Sequence, residues 1–421
     1  MAGTAGGETR PGLFYGWVVV GATFAVLFIS FGAAYTFGSF FSSLRDQFGA
    51  TREEVALVFS LTGFIYFGLG AISGRLADRF GPRRLIAAGG LLLGTGLLLA
   101  AVTRSLWQVY LTYSLGVGLG IGLAYVPAVG AVQRWFIRRR GMASGLAVTG
   151  IGLGNLALPP AAAVLIAAVG WRWTYALIGI AGLVIVVGAA LLVERSPETR
   201  GLRPDGDPQP TSSVAPAAGM SPSEALRSSR FWLLYTACAA TSLGLFVPFV
   251  HLVPYATDHG ISNVAASVIL GGIGAGSAAG RLAVGGSADR LGRRQALAAS
   301  FALMALTQIW WLFAVQVWSL LLFAFLFGAG YGGFVALIPA LAADYFGVRQ
   351  AGAIIGLLYT SASIGSLVGP TLAGVAFDVR HAYTLPILIS ALANVVAVGC
   401  MLVLGRIATR GQSGSPASAS S

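Results

Sequence analysis

Polar residues in this chain are gathered into short clusters, and the apolar runs between them are too long for helices of a soluble domain. Runs of roughly 20 apolar residues match the hydrocarbon thickness of a bilayer. Read this way, the spans fall at 15–41, 53–74, 85–103, 106–133, 141–168, 173–193, 231–256, 263–284, 295–315, 318–343, 351–376 and 383–405. The runs are continuous rather than alternating, which argues for helices and against barrel strands. The predicted fold is an all-α membrane protein with twelve transmembrane helices.

The polar clusters repeat as well. Asp289, Arg290, Gly292 and Arg294 echo Asp78, Arg79, Gly81 and Arg83, an offset of 211 residues (289 minus 78). Arg349, Gly352, Gly356, Thr360 and Pro370 match Arg138, Gly141, Gly145, Thr149 and Pro159 at the same offset. A constant offset across both clusters predicts two copies of one six-span unit, the parallel-repeat plan of many secondary transporters. The expected organisation is a disordered terminus at 1–14, a first bundle at 15–193, a linker at 194–229, a second bundle at 230–406 and a disordered tail at 407–421. Six prolines break up the linker, and Ser221, Pro222 and Glu224 have capping-box spacing, so a short helix is expected before span seven.

Composition agrees with this reading: 56% of the residues are apolar, 10% are charged, and 59 are Gly, which lets helices approach closely in lipid. The formal charge of +12 would suggest nucleic acid in a soluble protein. Here its placement accounts for it. All 26 cations are Arg; alternating the loops puts twenty on the face that carries both termini and five, Arg45, Arg52, Arg104, Arg172 and Arg380, on the other. That asymmetry predicts cytosolic termini, contact with the lipid bilayer, and no nucleic-acid partner. The first apolar run has no small-residue cleavage site and is expected to stay as a helix. Cys238 and Cys400 are isolated in apolar spans, so no disulfide framework, metal site or cofactor is expected. No cluster joins a nucleophile to a base, which argues against an enzyme. Gly328, Gly330 and Gly333 fit a dinucleotide-binding spacing, but no strand precedes them.

The twenty-sixth cation, Arg281, lies inside a span. A charge at that depth costs about 2.5 to 3.5 kcal/mol on insertion scales, which makes it a functional candidate. The fourteen acids lie outside the spans or, like Glu53 and Glu54, at the very start of one, so Arg281 is expected to face a watery cavity and draw its counter-ion from there. Bracing against a carboxylate is the alternative. Its planar fork suits a carboxylate, and a single fixed charge matches a monoanion. Ser277, one turn earlier, can add a hydroxyl or serve only packing. Tyr125, Asn155, Tyr331 and Tyr359 are polar groups deep in spans, candidates for the cavity wall or for helix-to-helix hydrogen bonds. His251, between Pro248 and Pro254, is a candidate proton carrier; the alternative is a neutral ring bonded to backbone freed by the prolines.

The twelve spans and the two Asp-Arg loops resemble the major facilitator superfamily over nearly the whole chain. Trp135, Phe136, Arg138, Arg139, Arg140, Gly141 and Gly145 look like the fifth-helix signature of monocarboxylate transporters. Arg281 sits where that family has its substrate-binding arginine. The resemblance implies a monomeric, proton-linked symporter of small monocarboxylates such as lactate or pyruvate in a bacterial inner membrane, close to oxalate/formate exchangers. Two departures stand out: Ser39 replaces a lysine of animal members, and Ser277 replaces an aspartate. An organic-anion exchanger and, less favoured because the spans lack acids for cationic cargo, a drug exporter of the same fold are the alternatives. By repeat symmetry, Asp289 with Arg290 is expected to face Arg138 and Arg139, and Asp78 with Arg79 to face Arg349. These contacts would latch the outward-open state.

Overall fold

The structure is a computed structural model that describes residues 14–206, 219–347 and 350–413, without the side chains of 71, 284–287, 289–291, 351 and 408–413. Expectations for 1–13, the middle of the linker, Arg349, the end of the tail, and the Asp289 and Arg290 side chains lie outside the described residues. The helices are α1 (Tyr15–Tyr35), α2 (Phe37–Phe48), α3 (Arg52–Phe80), α4 (Pro82–Ala101), α5 (Leu106–Val109), α6 (Leu115–Trp135), α7 (Arg140–Leu192), α8 (Pro222–Leu226), α9 (Ser229–Leu245), α10 (Val247–Asp258), α11 (Asn263–Leu291), α12 (Arg293–Trp311), α13 (Val317–Phe346), α14 (Ala351–Arg380) and α15 (Thr384–Ser413).

Among the described residues, ten segments are long and apolar enough to cross a membrane. One of them, α7, is two spans, because Gly170 at φ 81 and ψ 161 turns the chain. Helix α12 completes the twelve although it is more polar. Its Gln308 is buried, donating to the Gly244 carbonyl at 3.1 Å and accepting from Asn394 at 2.9 Å, so its amide is matched inside the bundle. The first span of each half is interrupted, at Thr36 and at Phe246, which the apolar pattern does not register. Helix α3 begins in a capping box, with Thr51 accepting from the Glu54 amide at 3.2 Å. It ends where Gly81 adopts φ 84, and Pro82 opens α4, where its missing N–H costs nothing.

The duplication is visible in the backbone itself. Positive φ recurs at Gly49 and Gly260 (60° and 80°), at Gly81 and Gly292 (84° and 86°), and at Gly170 and His381 (81° and 53°). Each pair is 211 apart (260 minus 49, 292 minus 81, 381 minus 170). The two six-helix bundles are thus related without a gap between those turns. With twelve spans, both ends emerge on one face, here called the terminal face.

The bundles meet through α3 against α14 and α7 against α11. Both seams taper. A Cβ at Gly63 of α3 would strike Ser366 of α14, one at Gly68 would only touch Ser363 at 3.5 Å, and Gly70 and Gly74 face Val126 of their own half. On α7, Gly152 abuts Gly274 and Ala278 of α11, while Gly145 and Gly141 have open space. The halves are therefore packed together at the face opposite the termini and part toward the terminal face.

Candidate substrate cavity and its outer seal

Glycines set the position of Arg281. A methyl at Gly276 or Gly280 would collide with the backbone of Phe325 or Ala329, and one at Gly274 with the backbone of α7, so α11 is pressed between α13 and the other half. Arg281 emerges from this helix where the seam begins to open. Its Nη1 donates to the Val148 carbonyl of α7 at 2.7 Å. Nε and Nη2 are buried without a hydrogen-bond partner, and no carboxylate among the described residues pairs with the group. These two nitrogens form the side-on edge of the guanidinium fork, which takes both oxygens of one carboxylate.

The cavity beside Arg281 measures about 40 Å³ and is lined by aromatic rings from both halves, among them Phe31, Tyr35, Tyr125, Tyr331 and Tyr359. That volume admits roughly three water-sized groups. Three of the four polar candidates, Tyr125, Tyr331 and Tyr359, are brought together with Arg281. Asn155 is not; it is buried at the α7–α11 crossing with its Oδ1 unpartnered. Ser277 is likewise buried outside the lining, its hydroxyl unpartnered and its carbonyl against Gly332. Its place one turn from Arg281 does not carry it into the cavity. Ser39, where a lysine was noted in animal members, is buried in the seam and donates to the Pro159 carbonyl at 3.1 Å. Tyr35, which the sequence reading missed, bridges the halves: its hydroxyl lies 3.3 Å from that of Tyr331, and its ring stacks on Phe249 at 4.4 Å. A larger hollow between α12 and α13, lined by Trp310, Phe313 and Trp318, has no charged wall and no link to this site.

Above the cavity the halves are sealed by Arg52, which the sequence reading placed in a loop. It is 6% exposed. Its Nη2 donates to Asp258 at 2.7 Å and its Nη1 to the Tyr383 hydroxyl at 2.5 Å, while its guanidinium lies 3.8 Å over the Phe377 ring. The Asp378 carboxylate accepts from the backbone amides of Arg52 and Glu53 at 3.1 and 2.9 Å, at the positive start of α3. The start of α3 in the first half thus gathers two acids of the second, Asp258 through the Arg52 guanidinium and Asp378 through backbone amides.

His251 joins this seal rather than the cavity. It is fully buried, with Nε2 2.8 Å from the Pro370 carbonyl and Nδ1 3.2 Å from the Tyr383 hydroxyl. A carbonyl only accepts, so Nε2 carries the proton and Nδ1 accepts from Tyr383. The chain of donors runs from Arg52 through Tyr383 to His251. The carbonyl it bonds is that of Pro370 on α14 rather than backbone freed by Pro248 or Pro254, and through Tyr383 it touches an ionic contact between the halves.

On the terminal face, Asp78 accepts from Arg134 of its own half at 2.7 Å, and its carbonyl accepts from Arg195 at 2.8 Å. Among the described residues Asp78 meets no group of span eleven, Arg349 lying outside them; the mouth between the halves is open, and the cation it pairs with is Arg134 on α6. Arg79 lies 5.2 Å over the Phe80 ring. The backbone amides of Arg138 and Arg139 meet a linker carboxylate, Asp205, which the sequence reading did not single out.

Two six-helix repeats around a central cavity, sealed on one face and open on the other, define the architecture of a membrane transporter. Residues 23–285 and 233–420 match the Major Facilitator Superfamily, and the chain belongs to that family. Within it, the chain is homologous to monocarboxylate transporters. It is 30% identical to "Monocarboxylate transporter 11" of Homo sapiens over 403 residues, 93% of this chain and 83% of that protein. It is 31% identical to "Monocarboxylate transporter 3" of Rattus norvegicus, over 90% of this chain and 78% of that protein. The fold matches a bacterial homolog of the human lysosomal transporter Spinster, solved in an inward-facing, unoccupied conformation, with a TM-score of 0.74 at 16% identity, covering 97% of this chain and 100% of that one. The protein is a transporter and not an enzyme.

Proposed function

We propose that this protein is a monomer that carries a small monocarboxylate and a proton across a cell membrane by alternating access. The observation that carries the reading is the side-on edge of Arg281, buried and unmatched in a small cavity between the halves. A buried donor without an acceptor costs roughly 1–3 kcal/mol, and more when charged, so the cargo's carboxylate supplies what the protein withholds. One cation and a small volume favour a monoanion over a dianion or a bulky drug. Names of relatives such as "Monocarboxylate transporter 2" of Homo sapiens support the same class. The Arg-rich terminal face is read as cytosolic, as it would be for an inner-membrane protein of a bacterium, so the conformation described is inward-facing.

In this reading His251 couples the proton. A second proton, on Nδ1, removes the acceptor that Tyr383 uses and sets a cation near Arg52, loosening the outer seal. A second reading has a specific observation behind it: the cavity lining holds no acid and no histidine, as suits an anion exchanger. Uptake of labelled lactate into proteoliposomes, with and without an inward proton gradient, decides between them. Symport predicts accumulation driven by the gradient; exchange predicts counterflow at clamped pH and none driven by protons. Arg281→Gln is expected to lower uptake at least tenfold in either case, and unchanged uptake would overturn the assignment.

A further inference from the structure

The linker between the bundles is bound at both ends to matching turns. At its first end Asp205 Oδ2 accepts from the amides of Ile137 and Arg138 at 2.9 and 2.8 Å, and Oδ1 from that of Arg139 at 3.3 Å. These amides precede α7 and have no partner within it, so they form a concave anion site. Asp205 reaches them with φ 60, a left-handed conformation that Asp tolerates better than most residues. The same stretch is held by Arg200, 3.5 Å over the Tyr15 ring, and by Trp135, whose Nε1 donates to the Glu194 carbonyl at 3.2 Å. At the other end Met220 donates its amide to the Phe346 carbonyl at 2.7 Å, and Gly219 bridges Gly347. Phe346 is the repeat counterpart of Trp135 (346 minus 135 is 211).

We propose that Asp205 is a built-in brake on the transport cycle, holding the cytosolic face open by occupying the anion site at the start of α7. Closing that face brings the loop after α11 toward this turn, by the symmetry of the two Asp-Arg loops. The three amides are where a carboxylate from that loop would dock. While Asp205 fills them, closure must first displace the linker. Burial raises the affinity of the Asp205 carboxyl for a proton, but the three amides and the Arg138 charge outweigh it and hold its pKa below the ordinary range, so the contact survives mild acid. The inference rests on the alternating-access reading, and its test separates the two.

Arg84 and Gln295 are exposed, symmetry-related positions on the cytosolic face (295 minus 84 is 211). Spin labels on Arg84→Cys and Gln295→Cys, with Cys238 and Cys400 replaced by Ala, report the width of the mouth by pulsed electron resonance. Asp205→Gly keeps the backbone conformation accessible and removes the carboxylate. It is expected to raise the fraction of the short, closed distance at least threefold over the parent, with Asp205→Asn in between. A variant with the outer seal cut, Asp378→Asn, serves as reference. A short distance that grows in neither of these variants, or that shrinks in Asp378→Asn, removes the two-state reading and the brake with it. A shift in Asp378→Asn but none in Asp205→Gly, whatever its melting temperature, removes the brake alone.

Discussion

Arg281 works by division of labour within one side chain. Nη1 is fixed by the Val148 carbonyl, which orients the plane of the group, and the remaining edge faces the aromatic cavity. A lysine keeps the charge but offers no planar edge, so Arg281→Lys is expected to retain less than about a tenth of the uptake rate, with the loss mainly in apparent affinity. At His251 the expected sign follows from its tautomer. If His251 couples the proton as proposed, acid outside adds the second proton and loosens the seal, so the initial uptake rate is expected to rise as external pH falls. His251→Gln, which cannot take that proton, is expected to flatten the dependence of uptake on external pH; a profile parallel to the parent's would remove His251 from the coupling. Arg281 could be found in the sequence because it is the one cation within an apolar run. Arg52 could not, since its acids lie 206 and 326 residues away and only the fold buries it among them.

Among the elements, the contact of α11 with α13 limits how precisely Arg281 is held. Gly276, Gly280, Gly328 and Gly332 let the two backbones touch, and a Cβ at any of them would meet a carbonyl of the facing helix. Backbone cannot move aside as a flexible side chain can. Gly276→Ala is therefore expected to lower stability by roughly 1–3 kcal/mol and to reduce lactate binding by displacing α11. Gly21→Ala, with open space around it, is expected to change neither. Thermal unfolding in detergent together with lactate titration checks both, and equal behaviour of the two variants would remove the packing argument. Apolar length was enough to count these helices, because each had to cross the same hydrocarbon thickness. It did not disclose the breaks at Thr36 and Phe246, where the composition stays apolar and only the backbone changes. Nor could a glycine count tell which glycines are contacts, since Gly276 and Gly21 look alike in sequence.

At the scale of the whole molecule, the conformation seen, sealed opposite the termini and open at the terminal face, and its reverse must be close in free energy if the protein is to cycle. The seal concentrates that balance in a few groups: Arg52 with Asp258, the start of α3 with Asp378, and the Tyr383–His251 pair. Removing one member of a fully buried ion pair costs about 3–5 kcal/mol. Asp258 is 35% exposed in its side chain, so water screens part of that, and a shift nearer 1–2 kcal/mol is expected. Since about 1.4 kcal/mol is a factor of ten in a two-state equilibrium, Asp258→Asn should raise the outward-open population roughly tenfold. Ser39 reports this directly. It is fully buried in the outer part of the seam, where Ser267 donates to it across the halves at 2.8 Å, and Cys is close to it in size. A membrane-impermeant thiol reagent added from outside should label Ser39→Cys several-fold faster when Asp258→Asn is present. The anion should act in addition, because a carboxylate on Arg281 bridges both halves through Val148 and the tyrosines and draws them together. Labelling that ignores Asp258→Asn would show that the seal is held by the apolar seam alone, and that Arg52 with its acids only decorates it.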